Sequence, residues 1–530
     1  MQYARNPFLI LPIIFLVTLA VYILCGAPTI MYGDSAELQA VALKGGVAHP
    51  SGYPTFVMLG QFFGRVLQGD PARRITIMSS IFGAAAVCAF FLVLLKFGVP
   101  VDPAFFGSII YGAGFTFWWS ATRTEVYTLA IFIFLIGLWL TLHALEKPTL
   151  ARTGLAGAAM GLTLTGHLSF APVILVIFVF LFLRSPPEGV SPPRYWSVLL
   201  LSFLAGLTPY LYLVWADHGG FPMNYLNYTI ELGSGQFGLT EQTFNDPWER
   251  IPWLIFGKES RPLVFLFHLR PMLWQLLRVL AIEFLYHSGP IGLPLFIMGS
   301  YHLLKKSGKK AFVLFAIIAA SALFGAGFGP GRMLQIFLLP ATIGIAVAIS
   351  FGIWFLIENF LGRKSRFRFA KSVMILVLIC VTIVAPHLIR VRLDRSYSFP
   401  QSLKMQVEGE PKIESAVPAL RDFWEPRTYG ERVLDLLPEN SFVTGKWKEI
   451  MVLYYLHYVE GKRPDIKLDP YYREHFIRFE QWQETHDITT HPFVFLSRLP
   501  GLTDELSGLD SLSVDDDRSL YICRRPLLGN

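Results

Sequence analysis

Long apolar segments separated by short polar ones run along the first three quarters of the chain. A helix needs roughly 20 apolar residues to cross the hydrocarbon core of a bilayer. Eleven segments meet or approach this length, and we predict a transmembrane helix for each. They lie at about residues 8–25, 75–95, 104–121, 125–143, 153–170, 171–183, 196–215, 278–303, 311–328, 333–357 and 370–388.

One further apolar segment, residues 55–67, is shorter and is interrupted by Gln61, Gly64 and Arg65. We assign it to an interfacial or re-entrant helix of the first loop rather than to a span. The first segment, Phe8–Cys25, is followed by no clear small-residue cleavage site. It is therefore predicted to be a retained signal anchor.

The pattern changes near residue 389, after which short alternating segments replace the long apolar ones. Strands are predicted at 441–445, 465–468, 493–496 and 520–523, with a helix over 449–460. The chain is thus predicted to be a mainly α, polytopic membrane protein. Residues 1–388 form its transmembrane domain of about 11 helices, and residues 389–530 form a small soluble α/β domain.

Composition and charge agree with this division. Hydrophobic residues make up 53% of the chain and charged residues only 16%, which excludes an ordinary water-soluble protein. The net charge of +7 comes from Lys and Arg in short loops between apolar segments, so it reflects membrane topology rather than nucleic-acid binding.

The positive-inside rule places the basic clusters at 305–310 and 363–371 in the cytoplasm when the N-terminus is also inside. The first loop (26–74), the long loop (216–277) and the C-terminal domain then lie outside. The same topology places at the outer edge of the membrane the ionisable and aromatic residues that are candidates for contacting a substrate. These are Asp34, Glu37, His49, Tyr53, Arg123, Glu125, Tyr127, His167 and Arg332.

Asp34 and Glu37 are the candidate catalytic residues. Their spacing of three puts both on one helical face, and a carboxylate there could take the proton from an attacking hydroxyl. The alternative is a capping box that only starts a loop helix. His49 either contacts a phosphate or sugar, or is a turn residue between prolines. Tyr53 either stacks on a sugar or belongs to an interfacial aromatic belt.

The other candidates would bind substrate. Arg123 suits the donor phosphate and Glu125 a sugar or acceptor, unless the two only pair with each other. Arg332 follows a glycine-rich turn and offers a planar fork of donors to a phosphate, with snorkelling as the alternative. His167 is either a ligand or a satisfied buried histidine, and Tyr127 completes the TRTEVYTL segment.

The residues give no reason to predict a metal or an organic cofactor. The four cysteines form no pair with zinc-ligand spacing, and no cluster of histidines and carboxylates has convincing metal-ligand spacing. The first strand of the C-terminal domain is not followed by a glycine fingerprint, so no nucleotide site is predicted.

Five segments together resemble a known family. After one span come GDSAEL, then GVAHPSGYPTF, then TRTEVYTL, and later residues 224–238 and the tail segment EGKRPDIKL. This order is similar to the polytopic protein O-mannosyltransferase family, which belongs to the GT-C superfamily of membrane glycosyltransferases. The tail itself does not look like the tetratricopeptide-type tails of eukaryotic members.

The resemblance implies a GT-C fold, a polyprenyl-phosphate-linked sugar donor, and transfer with inversion to a protein, lipid or glycan acceptor outside the cytoplasm. It gives Asp34 the role of catalytic base and places Glu37, His49 and Glu125 in the active site. We expect a bacterial inner-membrane enzyme in contact with membrane lipids. A transporter or flippase of a lipid-linked or anionic solute is the alternative, and a non-catalytic scaffold is a third.

Overall fold

A computed structural model describes residues 7–227, 246–258, 269–282, 284, 288–327, 334–360, 368–395, 419–469, 475–497 and 509–523. Most of this part is helical. The first half contains α1 (Pro7–Cys25), α2 (Asp34–Lys44), α3 (Pro54–Val66), α4 (Pro71–Phe97), α5 (Val101–Ala113), α6 (Phe115–Ala121), α7 (Tyr127–Glu146), α8 (Leu150–Gly166), α9 (Ala171–Phe182), α10 (Pro192–Gly206) and α11 (Leu211–His218).

The second half continues with α12 (Pro247–Ile255), α13 (Leu269–Ile282), α14 (Gly289–Lys306), α15 (Gly308–Gly327), α16 (Leu334–Phe337), α17 (Leu339–Phe360), α18 (Arg368–Arg395), α19 (Glu425–Leu436), α20 (Trp447–Tyr454) and α21 (His475–Thr485). Five strands follow α18: β1 (Phe442–Thr444), β2 (Lys467–Asp469), β3 (Phe493–Phe495), β4 (Leu509–Ser513) and β5 (Ser519–Cys523).

Five helical segments in these ranges are long and apolar enough to cross a membrane. They are α4, α7, the continuous segment Pro192–His218, α15 and most of α17. The chain is therefore a multi-pass membrane protein, as its apolar pattern predicted. The count of eleven spans stays a prediction, and so does the division into domains at residue 388.

Several of the predicted segments differ from the helices observed. The predicted span 278–303 overlaps two helices, α13, which ends at Ile282, and α14, which begins at Gly289, whose φ of 66° is unfavourable for other residues. The predicted span 104–121 is divided at Gly114. Segment 55–67, expected as a loop helix, corresponds to α3.

Small residues allow two pairs of helices to approach closely. A Cβ atom added to Gly299 of α14 would lie 1.8 Å from the carbonyl oxygen of Ala348 in α17, and one on Gly352 would lie 2.1 Å from that of Leu295. Gly161 and Gly206 hold α8 and α10 together in the same way. Such close backbone contacts are a usual means of packing helices within lipid.

We expect Gly299→Ala to separate α14 from α17 and to lower the thermal unfolding midpoint of the detergent-solubilised protein, with a cost of about 1–3 kcal/mol from overpacking. Gly308→Ala is the matched control, since a Cβ atom there has nothing within 4 Å. Equal unfolding midpoints for the two variants would contradict the close packing.

Charged side chains meet at one end of the bundle. Lys96 at the end of α4 contacts Glu146 at the end of α7, with 2.5 Å between Nζ and Oε2. Lys310, near the start of α15, donates to the carbonyl oxygen of Lys96 at 3.0 Å. Because α4 and α7 are long helices that begin at the first loop and near Glu125, those two regions lie at the opposite end.

The C-terminal part contains a five-stranded sheet in the order β2-β1-β3-β5-β4. Strand β1 is parallel to β2 and β3, whereas β5 is antiparallel to β3 and β4. The α/β character and four of the strands confirm the sequence prediction. Strand β4 was missed, because most of its side chains are exposed and its pattern LDSLS is weakly apolar.

This C-terminal unit is attached to the first loop by polar contacts. The backbone N–H of Leu420 donates to the carbonyl oxygen of Cys25 at 2.7 Å. Arg427 donates to Thr29 at 2.7 Å and to Asp70 at 3.2 Å, while also contacting Glu460. The sheet and its helices are therefore anchored on the end of the bundle that carries the first loop.

Candidate active site

The first loop forms a short helix whose start is set by Gly33. Its φ of 59° lies in the left-handed region, where glycine is favoured, and its carbonyl oxygen accepts from the N–H of Glu37. Asp34 is the first residue of α2 and provides no side-chain cap. The capping-box alternative is therefore not what the structure contains, and both carboxylates face other partners.

Glu37 is paired with His49. The Glu37 side chain is only 1% exposed; its Oε1 accepts from the backbone N–H of His49 at 2.8 Å, and its Oε2 contacts His49 Nδ1. Burial lowers the pKa of His49, but the charges of Glu37 and Asp34 outweigh it and raise that pKa to about 10. Burial raises the pKa of Glu37, opposed by the His49 charge. His49 therefore holds a proton at neutral pH.

Asp34 is the most accessible of the three site carboxylates, with 32% of its side chain exposed. Its Oδ2 lies 3.9 Å from Nε2 of His49, and its Oδ1 accepts from the indole N–H of Trp447 at 2.7 Å. Asp34 therefore lies next to His49 and is also accessible to solvent. Those are the properties that a general base acting on an incoming hydroxyl needs.

Aromatic rings close one side of the cluster. The hydroxyl of Tyr53 lies 3.2 Å from His49 Nε2 and donates to the carbonyl oxygen of Pro50 at 2.7 Å. Its ring stacks on His167 at 5.8 Å, and Tyr127 contacts His167 at 5.2 Å between ring centroids. The site thus brings together residues of the first loop and of the α8–α9 connection, and His167 faces this cluster.

Arg123 and Glu125 lie beside the same cluster between α6 and α7. The Arg123 guanidinium stacks on Trp119 at 3.9 Å and donates to the Trp119 carbonyl oxygen at 3.2 Å. Glu125 is buried and accepts from the Ser35 hydroxyl at 3.3 Å. Burial, reinforced by the charge of Asp34, raises the pKa of Glu125 to about 8.

We expect the activity to depend on this Glu125 ionisation. Because the pKa of Glu125 is about 8, the side chain is neutral below that pH and gains a negative charge above it. That charge would repel an anionic substrate next to Asp34, so the specificity constant should fall as pH rises through 8. A Glu125→Gln variant should lose this alkaline limb in a profile from pH 6 to 9.5, and an unchanged limb would exclude Glu125 as its source.

Eight of the nine predicted site residues are described, and all eight lie in or beside this cluster. Arg332 falls outside the described residues. Sequence reasoning missed two participants, Ser35 on α2 and Trp447 of the C-terminal unit. A possible signal for Trp447 was its position directly after β1, because the carboxyl ends of parallel strands often carry functional residues. Within the ranges described, no group of three or more His, Cys, Asp or Glu side chains could hold a metal ion.

The geometry defines a polytopic membrane protein with an acid–imidazole cluster at one end of its bundle, covered by a soluble α/β unit. Residues 34–189 match the family model described as the Protein O-mannosyl-transferase TMEM260 N-terminal domain. The family resemblance seen in the motifs is thereby confirmed for the part of the chain that contains Asp34, Glu37, His49 and Glu125.

Two curated relatives carry the same family name. The mouse Protein O-mannosyl-transferase TMEM260 is 29% identical over 211 residues, which are 38% of this chain and 29% of the relative. The Dictyostelium discoideum protein of that name is 23% identical over 555 aligned positions, covering 96% of this chain and 63% of the relative. The chain thus spans less than two thirds of either relative.

Two solved structures are similar at low sequence identity. The crystal structure of ArnT from Cupriavidus metallidurans bound to undecaprenyl phosphate has 12% identity, covers 97% of both chains and gives a TM-score of 0.47. The Archaeoglobus fulgidus oligosaccharyltransferase has 13% identity, covers 92% of this chain and 68% of its own, and gives a TM-score of 0.44.

Proposed function

We propose that this protein is an inverting membrane glycosyltransferase of the GT-C type. It would transfer one sugar from a polyprenyl-phosphate carrier to a hydroxyl group of a protein, lipid or glycan on the non-cytoplasmic face. The observation that carries the proposal is the accessible carboxylate of Asp34, whose Oδ2 lies 3.9 Å from Nε2 of His49, the partner of the buried Glu37. The family match over residues 34–189 supports the same class.

In the proposed reaction, the oxygen of the acceptor hydroxyl attacks the anomeric carbon of the donor sugar. The new carbon–oxygen bond forms as the bond from that carbon to the phosphate oxygen breaks. The bonding electron pair leaves with the polyprenyl phosphate, and the hydroxyl proton passes to Asp34. Attack opposite to the leaving group inverts the anomeric configuration.

The leaving phosphate requires positive charge near it, since charge develops on its oxygens as the bond breaks. The imidazole of His49 lies next to Asp34, and Arg123, which sequence analysis assigned to the phosphate, lies beside Glu125 of the same cluster. Arg332 is the other guanidinium proposed for this role. Glu125, neutral below pH 8, would add no negative charge near the leaving phosphate.

The two ends of the bundle differ in charge as the proposed sidedness requires. Lys96, Lys310 and Glu146 meet at the end opposite to Asp34, and the positive-inside rule favours that end for the cytoplasm. Reporter fusions at residues 150, 307 and 400 should place 150 and 307 inside and 400 outside. Finding 400 on the same side as 307 would contradict this orientation.

The names of the curated relatives make mannose the first donor sugar to test and protein hydroxyls the first acceptors. Both relatives are eukaryotic, whereas the sequence led us to expect a bacterial inner-membrane protein, and that expectation stays a prediction. Nothing in the cluster favours the transporter alternative, since its charges lie at one end of the bundle rather than at the bilayer midplane.

The test is incubation of the purified protein in lipid nanodiscs with a panel of polyprenyl-phosphate sugars and with hydroxyl-bearing peptides, lipids and glycans. We expect sugar transfer together with stoichiometric release of polyprenyl phosphate, and NMR of the product should show the inverted anomer. Movement of lipid-linked sugar across vesicles without any transfer would replace this function by the transporter alternative.

A further inference from the structure

A residue of the C-terminal unit reaches the carboxylate of Asp34. Trp447 is the first residue of α20, and its indole N–H donates to Asp34 Oδ1 at 2.7 Å. The adjacent Lys448 carbonyl oxygen accepts from the N–H of Gly33 at 3.1 Å. Trp447 and Lys448, at the start of α20, therefore form hydrogen bonds with Asp34 and Gly33, at the start of α2.

The indole is held in place by its neighbours. His49 meets it edge-on at 6.5 Å between ring centroids, and Tyr225 does so at 5.9 Å. The side chain of Lys448 is turned away from it, with its ammonium group 4.5 Å from the ring of Tyr32. The N–H group of Trp447 therefore points at Asp34 from a ring packed on two sides.

The chemistry of the two groups determines which one donates the hydrogen bond and which one accepts it. An indole N–H can only donate, and an ionised carboxylate can only accept, so the bond occupies one of the two carboxylate oxygens. Oδ1 is occupied by Trp447, whereas Oδ2 lies 3.9 Å from His49 Nε2, beyond hydrogen-bond distance. In the part of the chain that the structure describes, no group donates a hydrogen bond to Oδ2, so Oδ2 is the oxygen that an incoming hydroxyl group can meet without a competing donor.

We propose that Trp447 is a positioning residue, which fixes the Asp34 carboxylate so that Oδ2 faces the acceptor hydroxyl. The C-terminal unit is then an integral part of the active site, although 413 residues separate the two side chains in sequence. This inference rests on the proposed function, because it assigns Trp447 a role in the same transfer reaction.

The first test is Trp447→Phe, which keeps an aromatic ring and removes the N–H donor. We expect kcat for sugar transfer to fall roughly 10-fold to 100-fold, since small misplacements of a catalytic group have effects of this size, while KM for the donor changes less than about twofold. Trp424→Phe is the matched control, because Trp424 lies in the same unit and is 51% exposed. Thermal unfolding midpoints of both variants should equal that of the wild type.

A double variant separates positioning from a merely structural role. If Trp447 acts through Asp34, Trp447→Phe should change the residual activity of Asp34→Asn by less than about twofold. The same large loss in both backgrounds would overturn the proposal, as would full activity of Trp447→Phe in an otherwise active enzyme.

A measurement that does not require sugar transfer tests this inference separately from the proposed function. The chain has 12 tryptophans, and labelling with 5-fluorotryptophan allows the Trp447 signal to be assigned by its loss in Trp447→Phe. We expect Asp34→Ala, which removes the acceptor of the indole N–H, to shift that fluorine signal and to leave the signal of Trp424 unchanged. An unshifted Trp447 signal would overturn the inference, whereas a shifted signal in a protein that transfers no sugar would overturn only the glycosyltransferase proposal.

Discussion

Replacing Asp34 by Asn should lower kcat for sugar transfer by a factor on the order of 10²–10⁴, the usual contribution of a general base. The amide keeps the size of the side chain and can still accept from the Trp447 indole, but it cannot take the hydroxyl proton. Binding of the polyprenyl-phosphate donor should be unchanged, because Asp34 is assigned to the acceptor. Both quantities can be measured with a radiolabelled donor, by transfer and by equilibrium binding.

Asp422→Asn is the matched control for this variant. Asp422 lies in the C-terminal unit, its side chain is 84% exposed, and it pairs only with the neighbouring Arg421 among the contacts seen. It should retain wild-type transfer. An Asp34→Asn protein that unfolds at the wild-type temperature and keeps full activity would remove Asp34 from the mechanism.

The second large effect concerns the Glu37–His49 pair. Glu37→Ala would remove the charge that does most to raise the pKa of His49 and would leave the imidazole without its buried hydrogen-bond partner, which typically costs about 1–3 kcal/mol of unfolding free energy. It would also release His49 from its fixed position near Asp34, so transfer should fall together with stability. Denaturant unfolding in detergent and the transfer assay measure the two effects.

A double replacement tests whether the pair exists for stability or for function. Replacing both partners by apolar residues, as in Glu37→Leu with His49→Phe, removes the buried charges and should recover most of the lost stability without recovering transfer. Glu146→Ala is the control, since Glu146 is 43% exposed in its pair with Lys96 and should cost less than about 1 kcal/mol. Recovery of activity in the double variant would show that the pair has no part in the chemistry.

The sequence was sufficient to find the membrane character and the polar residues of the cluster. Asp34, Glu37 and His49 lie within 16 positions, so a local motif could reveal them together. The topology argument added Glu125, Tyr127 and His167, because residues at the outer ends of different spans lie at the same membrane edge. All of these residues lie in one cluster, and their individual roles stay predictions.

The partners of these residues could not be predicted in the same way. Whether Glu37 caps a helix or pairs with His49 depends on the φ angle of Gly33 and on burial, which no spacing reveals. Arg123 stacks on Trp119, four residues earlier in the chain. Sequence analysis considered only a donor phosphate or Glu125 as the partner of Arg123. The helix boundaries at Gly114 and Gly289 likewise depend on tertiary packing that overrides the apolar pattern.

The hydrophobic periodicity of the sequence could not predict contacts between distant parts of the chain. Arg427 joins Thr29 and Asp70 to Glu460, and Arg518 donates to Tyr32 at 2.7 Å and also contacts Glu425. The contacts with Thr29, Asp70 and Tyr32 link the first loop to residues more than 350 positions away. Such pairings follow from how the C-terminal unit docks, which neither hydrophobic periodicity nor motif spacing reveals.

The attachment of the C-terminal unit also sets the order in which the site can be built during synthesis. The ribosome makes Asp34 413 residues before Trp447, and Cys25 long before its partner Leu420. The first loop is therefore complete long before its partners in the C-terminal unit are made, and in the proposed orientation both must reach the non-cytoplasmic side before they can meet. A nascent or prematurely terminated chain would hold every acid and imidazole of the cluster and still lack the indole that donates to Asp34.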